Sequence, residues 1–187
     1  MTPFTRVEGR AYPLPFSNID TDLIIPAVHL KTIRRSGLGQ HAFEALRSTE
    51  GNVFADPAFR DAPIIVELDN FGCGSSREHA AWALVDLGVR AVIAPSFSDI
   101  FASNAFKNGI ATVELDHAVV ESLLQTAKKD SICVDLEAMT VTSGERDHFT
   151  FTTDPFRRDC LLAGLDEIAL TLTHDEAIAA YEQRMGI

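Results

Sequence analysis

Cysteine is scarce in this chain. Cys73, Cys133 and Cys160 are the only three, widely spaced and without a CxxC pair. Such a set is not a disulfide framework, and it lacks the ligand spacing of a zinc site or an iron–sulfur cluster. It suits a reducing compartment. Long apolar runs are missing too: none approaches the ~20 residues needed to cross a bilayer. The first twenty residues lack the basic start and apolar stretch of a secretory signal. No membrane association is expected, and the expected location is cytoplasmic. Positive charge is in deficit, with 16 basic against 27 acidic residues and a formal net charge of -11. That field repels phosphate backbones and anionic membranes, which argues against nucleic-acid binding. It leaves room for a small anion, because one or two arginines at contact distance outweigh distant charges. The six histidines show no HxxxH or HExxH spacing, so no metal site is expected. There is no internal repeat and no low-complexity linker.

What is present suits a globular fold. The chain has 187 residues, 46% of them hydrophobic, enough to bury roughly two thirds of the unfolded surface. Thr5 to Tyr12 reads as a short strand. Phe16 to Pro26 reads as a loop rich in turn and cap formers. Short helices are expected over Ala27 to Arg34 and over Gln40 to Arg47. The centre is clearer. Pro63 to Leu68 is a buried strand, Asp69 to Ser76 a turn, and Arg77 to Leu87 a helix closed by Gly88. Val89 to Ala94 is a strand, Asp99 to Lys107 a helix broken at Asn108–Gly109, and Ile110 to Leu115 a strand. This alternation predicts an α/β fold whose mainly parallel sheet has crossover helices. Beyond Lys129, three short strands (Ile132 to Leu136, Met139 to Thr142, His148 to Thr152) predict a small antiparallel β-rich appendage, with a turn at Ser143–Gly144. Helix returns from about residue 155 and ends in an acidic tail helix, Asp175 to Arg184. The expectation is one domain spanning residues 1–187, with a C-terminal helical tail.

The most informative stretch is Gly72-Cys73-Gly74-Ser75-Ser76-Arg77-Glu78-His79, between a predicted strand and a predicted helix. Gly72 and Gly74 allow unusual backbone angles and close approach of a ligand. A helix start offers unpaired amides and a positive dipole end. Ser75 and Ser76 add hydroxyls, and Arg77 a two-pronged donor that matches a carboxylate. A plainer reading stands beside this one: Ser75-x-x-Glu78 is also a capping box. Cys73 is either a nucleophile without a nameable partner or a small buried residue. His79 is either a packing or capping residue or a ligand. The stretch matches neither GxxxxGK[ST], nor GxGxxG in register, nor GxSxG.

Asn70 to Ala80 closely resembles the swivelling domain of the aconitase superfamily. Three more stretches resemble its small-subunit branch, the bacterial 3-isopropylmalate dehydratases. They are Asn18-Ile19-Asp20-Thr21-Asp22 with Ile25-Pro26, Leu30-Lys31-Thr32-Ile33, and Phe156-Arg157-Arg158 running into Leu161 to Asp166. The resemblance extends from about Val7 to Thr173. It implies a swivelling β/β/α fold and a hydro-lyase that interconverts 2-isopropylmalate and 3-isopropylmalate through isopropylmaleate, in leucine biosynthesis. It implies that Ser75 is the general base, that Arg77 binds a substrate carboxylate and steadies the serine alkoxide, and that Ser76 donates a hydrogen bond to substrate beside Gly74. Lys31 and Thr32 fall in the substrate-selecting loop, where His29 replaces an expected aromatic or apolar residue. By the residues alone, that loop is also an ordinary surface helix. Asp20, Thr21, Asp22 and His79 support the site loops, or merely cap a helix. The resemblance places a [4Fe-4S] cluster on a separate large subunit, none in this chain, and implies activity only with that partner. Within this class, citraconate, methylmalate or homoaconitate-type substrates are alternatives. Outside it stand a non-catalytic carboxylate-binding module and, against the charge, an RNA-binding relative.

Overall fold

The computed structural model describes residues 1–144 and 147–186. β1 (Arg6–Gly9) and β2 (Ala11–Leu14) are separated by Arg10 alone and enter different sheets. The single strand expected over Thr5 to Tyr12 is therefore two. β2 lies at the edge of a parallel sheet ordered β2-β3-β4-β5, with β3 (Ile64–Glu67), β4 (Ala91–Ala94) and β5 (Ala111–Glu114). β3 and β4 are buried along their whole length, so they read as continuous apolar runs rather than alternating ones. A sequential strand order with right-handed connections puts the crossover segments on one face. Accordingly, Ala80, Ala83 and Leu84 of α3 (His79–Leu87) and Phe101 and Ala105 of α4 (Asp99–Lys107) share one cluster with Leu14, Ile65 and Val92.

The other face is covered by α5 (His117–Thr126) and a four-stranded antiparallel sheet. That sheet is ordered β1-β6-β7-β8, with β6 (Ile132–Asp135), β7 (Thr140–Ser143) and β8 (Asp147–Thr150). The expected three-stranded meander is present and gains β1 as its fourth strand. Ile64, Val66 and Ile93 from the parallel sheet pack with Leu123, Ile132, Val134 and Val141, so both sheets share one core. α5 went unread in the sequence because its Val119 and Val120 favour strand, yet Val120, Leu123 and Leu124 line its buried side.

Three local expectations change. Within the stretch read as loop, Thr21–Ile24 forms a one-turn helix, α1, because the Asp20 carboxylate accepts the Leu23 N–H at 2.7 Å. Ala27 to Arg34 makes only a 3-10 turn, Ala27–His29, since Ala27 and Val28 are exposed and give a helix no face to bury. Gln40 to Arg47 splits into a 3-10 turn, Gly39–His41, and α2 (Glu44–Arg47). Between them Phe43 takes a left-handed conformation, φ 56°, that seats its ring wholly inside the core.

The C-terminal helices are α6 (Pro155–Ala163), α7 (Glu167–Leu172) and α8 (Asp175–Met185). α6 buries Cys160 and Leu161, whereas α8 buries nothing. Among the described residues no helix is long and apolar enough to cross a membrane.

Candidate active site

The loops that leave the carboxyl ends of β3 and β4 meet there, the usual place for a ligand on an open parallel sheet. The Asn70 N–H donates to Ser96 Oγ, and Phe71 pairs with Phe97. Gly72 has φ 74°, and a Cβ at that position would enter the Phe101 ring, so only glycine fits. Gly74 has φ 96°, and a Cβ there would touch Asp20 and Thr21 at ordinary contact distance, so its backbone angle rather than space favours glycine.

The turn is stitched to a second segment, residues 18–22. Gly72 N–H donates to Ile19 O at 2.7 Å, Thr21 N–H to Cys73 O at 2.9 Å, and Ser75 N–H to the Thr21 hydroxyl at 3.0 Å. Asn70 Nδ2 bonds Asn18 Oδ1. Asp20 both caps α1 and pairs with Cys73 across this short parallel bridge. Asp22 lies 3.9 Å from Arg77, with both side chains exposed. Asp20, Thr21 and Asp22 thus all adjoin the turn.

The capping box is absent, and α3 begins at His79 rather than Arg77. Ser75 Oγ accepts the Arg77 N–H at 3.3 Å, which closes a local turn before the helix starts. Glu78 is drawn away to accept from Asn108 Nδ2 at 2.7 Å, and Asn104 Nδ2 holds Ser76 O. These two asparagines of the α4 region were not singled out in the sequence, where nothing distinguishes them from ordinary helix-end residues. Ser75 is half-buried, and Ser76 and Arg77 are exposed. His79 joins the second loop to the site: its Nε2 meets Thr32 O at 3.0 Å and its ring packs on Trp82. Lys31 is exposed on that same loop.

Cys73 sits in the turn, Cys133 on β6 and Cys160 on α6. Burial and the neighbouring Asp20 push the Cys73 thiol up, away from a nucleophilic thiolate. Among the described residues no cysteine belongs to any grouping of three potential metal ligands, so this chain does not fit an iron–sulfur cluster.

Glu67 is a residue that sequence reasoning passed over, although an acid ending an apolar run was a legible signal. It ends β3 on the same face as Ile65, wholly buried, and neither carboxylate oxygen has a hydrogen-bond partner among the described residues. The nearby Leu68 N–H lends weak support, being already bonded to Phe16 O. Burial, and then Asp69, push the carboxyl up to about 9. It is therefore a neutral acid beneath the turn.

A family profile described as the aconitase C-terminal domain matches residues 1–118, and one described as the C-terminal domain of the 3-isopropylmalate dehydratase small subunit matches residues 167–185. Curated relatives bear the name 3-isopropylmalate dehydratase small subunit. The Erythrobacter litoralis protein is 60% identical over 98% of this chain and 92% of its own length. The Novosphingobium aromaticivorans protein is 57% identical over 99% of this chain and 92% of its own. The crystal structure of a 3-isopropylmalate dehydratase from Methanocaldococcus jannaschii is 27% identical, with a TM-score of 0.68 over 95% of this chain and 99% of that one.

The neutral Glu67 sets a pH dependence. Its folded value lies above its ordinary 4.5, so its contribution to stability is complete below 4.5 and is lost as pH rises toward about 9. Glu67→Gln keeps the volume and removes the ionisation. Calorimetry across that range should show the thermal midpoint of the variant falling less with rising pH than that of the native chain. Parallel pH profiles would mean that Glu67 already ionises in the fold.

Proposed function

This chain belongs to the family of 3-isopropylmalate dehydratase small subunits, and on that premise we propose that its Gly72–Arg77 turn supplies the proton-transfer and carboxylate-binding groups of a two-chain hydro-lyase. The reaction interconverts 2-isopropylmalate and 3-isopropylmalate by dehydration and rehydration in leucine biosynthesis. The partner is the large subunit of the dehydratase, in the cytoplasm, with neither nucleic acid nor membrane involved. A [4Fe-4S] cluster carried by that partner supplies the Lewis acid for the departing hydroxyl.

The observation that carries the reading is the arrangement at Ser75. Its own N–H is fixed on Thr21, and its Oγ already faces the Arg77 N–H at 3.3 Å. A serine hydroxyl is a weak base in water. With a preset N–H donor, a guanidinium two residues away and a partner excluding solvent, its alkoxide becomes far less unfavourable. Ser75 takes the carbon-bound proton, the C–H electrons become the new double bond, and rehydration returns a proton. Arg77 is tied only loosely to Asp22. Its fork is therefore available to hold both oxygens of a substrate carboxylate. Ser76 donates to substrate, and Gly74 lets the backbone come close. Lys31 and Thr32 contact the substrate's variable end. Asp20, Thr21, Asp22 and His79 hold the loops that carry these groups.

Two variants test this in the complex reconstituted with the large subunit. Ser75→Ala should slow turnover of 3-isopropylmalate by ~10²–10⁴, the usual loss for a general base. Its thermal midpoint should barely move, because Oγ makes one long, half-exposed bond. Normal turnover would reduce Ser75 to a turn former. Arg77→Lys keeps the charge and loses the two-point geometry. It should raise KM and lower kcat while the complex still assembles on a sizing column, and unchanged kinetics would remove the carboxylate anchor.

A further inference from the structure

A second cluster of chemically capable side chains lies at the base of the loop that carries Lys31 and Thr32. His29 ends the 3-10 turn Ala27–His29, His41 ends the turn Gly39–His41, and Glu44 opens α2. The two imidazoles stack with centroids 3.8 Å apart and planes 15° apart. One ring nitrogen of each histidine and one Glu44 oxygen all lie within 4.8 Å of one another, with His29 Nε2 to Glu44 Oε2 at 2.6 Å. The His29 side chain is 19% exposed and that of Glu44 53% exposed, so the group is reachable from solvent.

From this juxtaposition we infer that His29, His41 and Glu44 bind a divalent transition-metal ion of zinc's class, which staples the two ends of the loop together. Two imidazoles and one carboxylate form a three-ligand set that zinc accepts, with a fourth position for water. A hydrogen bond needs only His29 and Glu44, and it leaves the stacked His41 nitrogen unexplained.

The framework around the group is built to hold it. The Gly37 and Gly39 N–H groups both donate to one Asp86 oxygen, at 2.8 and 2.7 Å, which pins the return end of the loop to α3. A Cβ on Gly39 would strike the Asp86 backbone, so this docking is tight. Phe43 sits between His41 and Glu44 in a left-handed conformation that a bulky residue rarely adopts. Its N–H is tied to Ile24 O at 2.9 Å, which fixes where α2 begins and hence where Glu44 points. Seating the ion asks the two rings to turn out of their parallel stack, because each imidazole nitrogen binds a metal in its own ring plane. It also asks the His29–Glu44 pair to open from 2.6 Å to about 3.4 Å, the ligand separation set by zinc bonds near 2.0–2.1 Å and tetrahedral angles. The exposed Glu44 side chain can make that adjustment. Between the two ends, Lys31, Arg34 and Arg35 are exposed in a stretch without regular structure. An ion holding both ends would restrain this stretch whatever the chemistry of the serine turn.

The test uses the full-length, tag-free chain alone, without substrate or large subunit, so its outcome does not depend on the proposed reaction. Zn²⁺ is titrated in competition with a chromophoric chelator, and tryptic cleavage after Lys31, Arg34 and Arg35 is followed with and without the ion. The native chain should take up one Zn²⁺, and the ion should slow cleavage at these three sites. His41→Ala and Glu44→Gln should each weaken uptake by roughly tenfold or more, since even outer-shell partners of a metal are worth about 10–100-fold, and should abolish the protection. Circular dichroism separates loss of the site from loss of the fold, and the Glu44→Gln variant, changed at an exposed side chain, is the one expected to fold natively. Absence of uptake by the native chain, or uptake by both variants equal to that of the native chain, would overturn the assignment.

Discussion

The short pairing between residues 18–22 and residues 70–75 is the constraint on which the candidate site depends. A turn with two glycines at positive φ has no conformation of its own. Here three backbone donors and the Thr21 hydroxyl hold it against a second segment. That segment is in turn fixed by α1, whose one turn exists because Asp20 caps it. The chain reaches this pairing through topology. β2 and β3 are parallel neighbours, so the loops leaving their carboxyl ends emerge side by side. Residues some fifty positions apart then become one surface, held by backbone bonds and by the Asn18 and Thr21 side chains.

The same layout would let an acidic chain bind the dicarboxylate proposed as its substrate. The field of the molecule is repulsive, but Arg77 projects from the turn with only a distant, exposed aspartate beside it. Beneath the turn, the Glu67 carboxyl is kept neutral by burial and adds no negative charge there. In the proposed complex the large subunit would cover the loops and bring the metal centre, for which this chain has no cysteine set. In the proposed reaction, function would divide along a physical line, with proton transfer and carboxylate recognition on this chain and Lewis-acid chemistry on the other.

Much of the parallel sheet was legible in the sequence because β3, α3, β4, α4 and β5 alternate with clear periodicity and end at Gly88 and Gly109. The serine turn was legible as a motif. Its mechanics were not: Ser75-x-x-Glu78 has the spacing of a capping box, yet Asn108 captures Glu78 and the helix starts later. That competition involves a residue thirty positions away, which no local rule reports. β1 and β2 looked like one strand because nothing in the alternation marks a change of sheet at Arg10. The stack of His29 on His41 was invisible to metal-motif spacing, since a docked loop rather than a helix or hairpin unites them. α5 was hidden by its paired valines, whose local preference the tertiary packing overrides.

The proposed chemistry rests on the Thr21 hydroxyl, which accepts the Ser75 N–H at 3.0 Å. Thr21→Val preserves shape and removes the acceptor for the Ser75 N–H. The direct measurement is a double-mutant cycle on turnover by the reconstituted complex, using Thr21→Val, Ser75→Ala and the pair. Thr21→Val alone should slow turnover while the complex still assembles, and adding it to Ser75→Ala should slow turnover no further. Native turnover in Thr21→Val, or a full independent loss in the double variant, would contradict it.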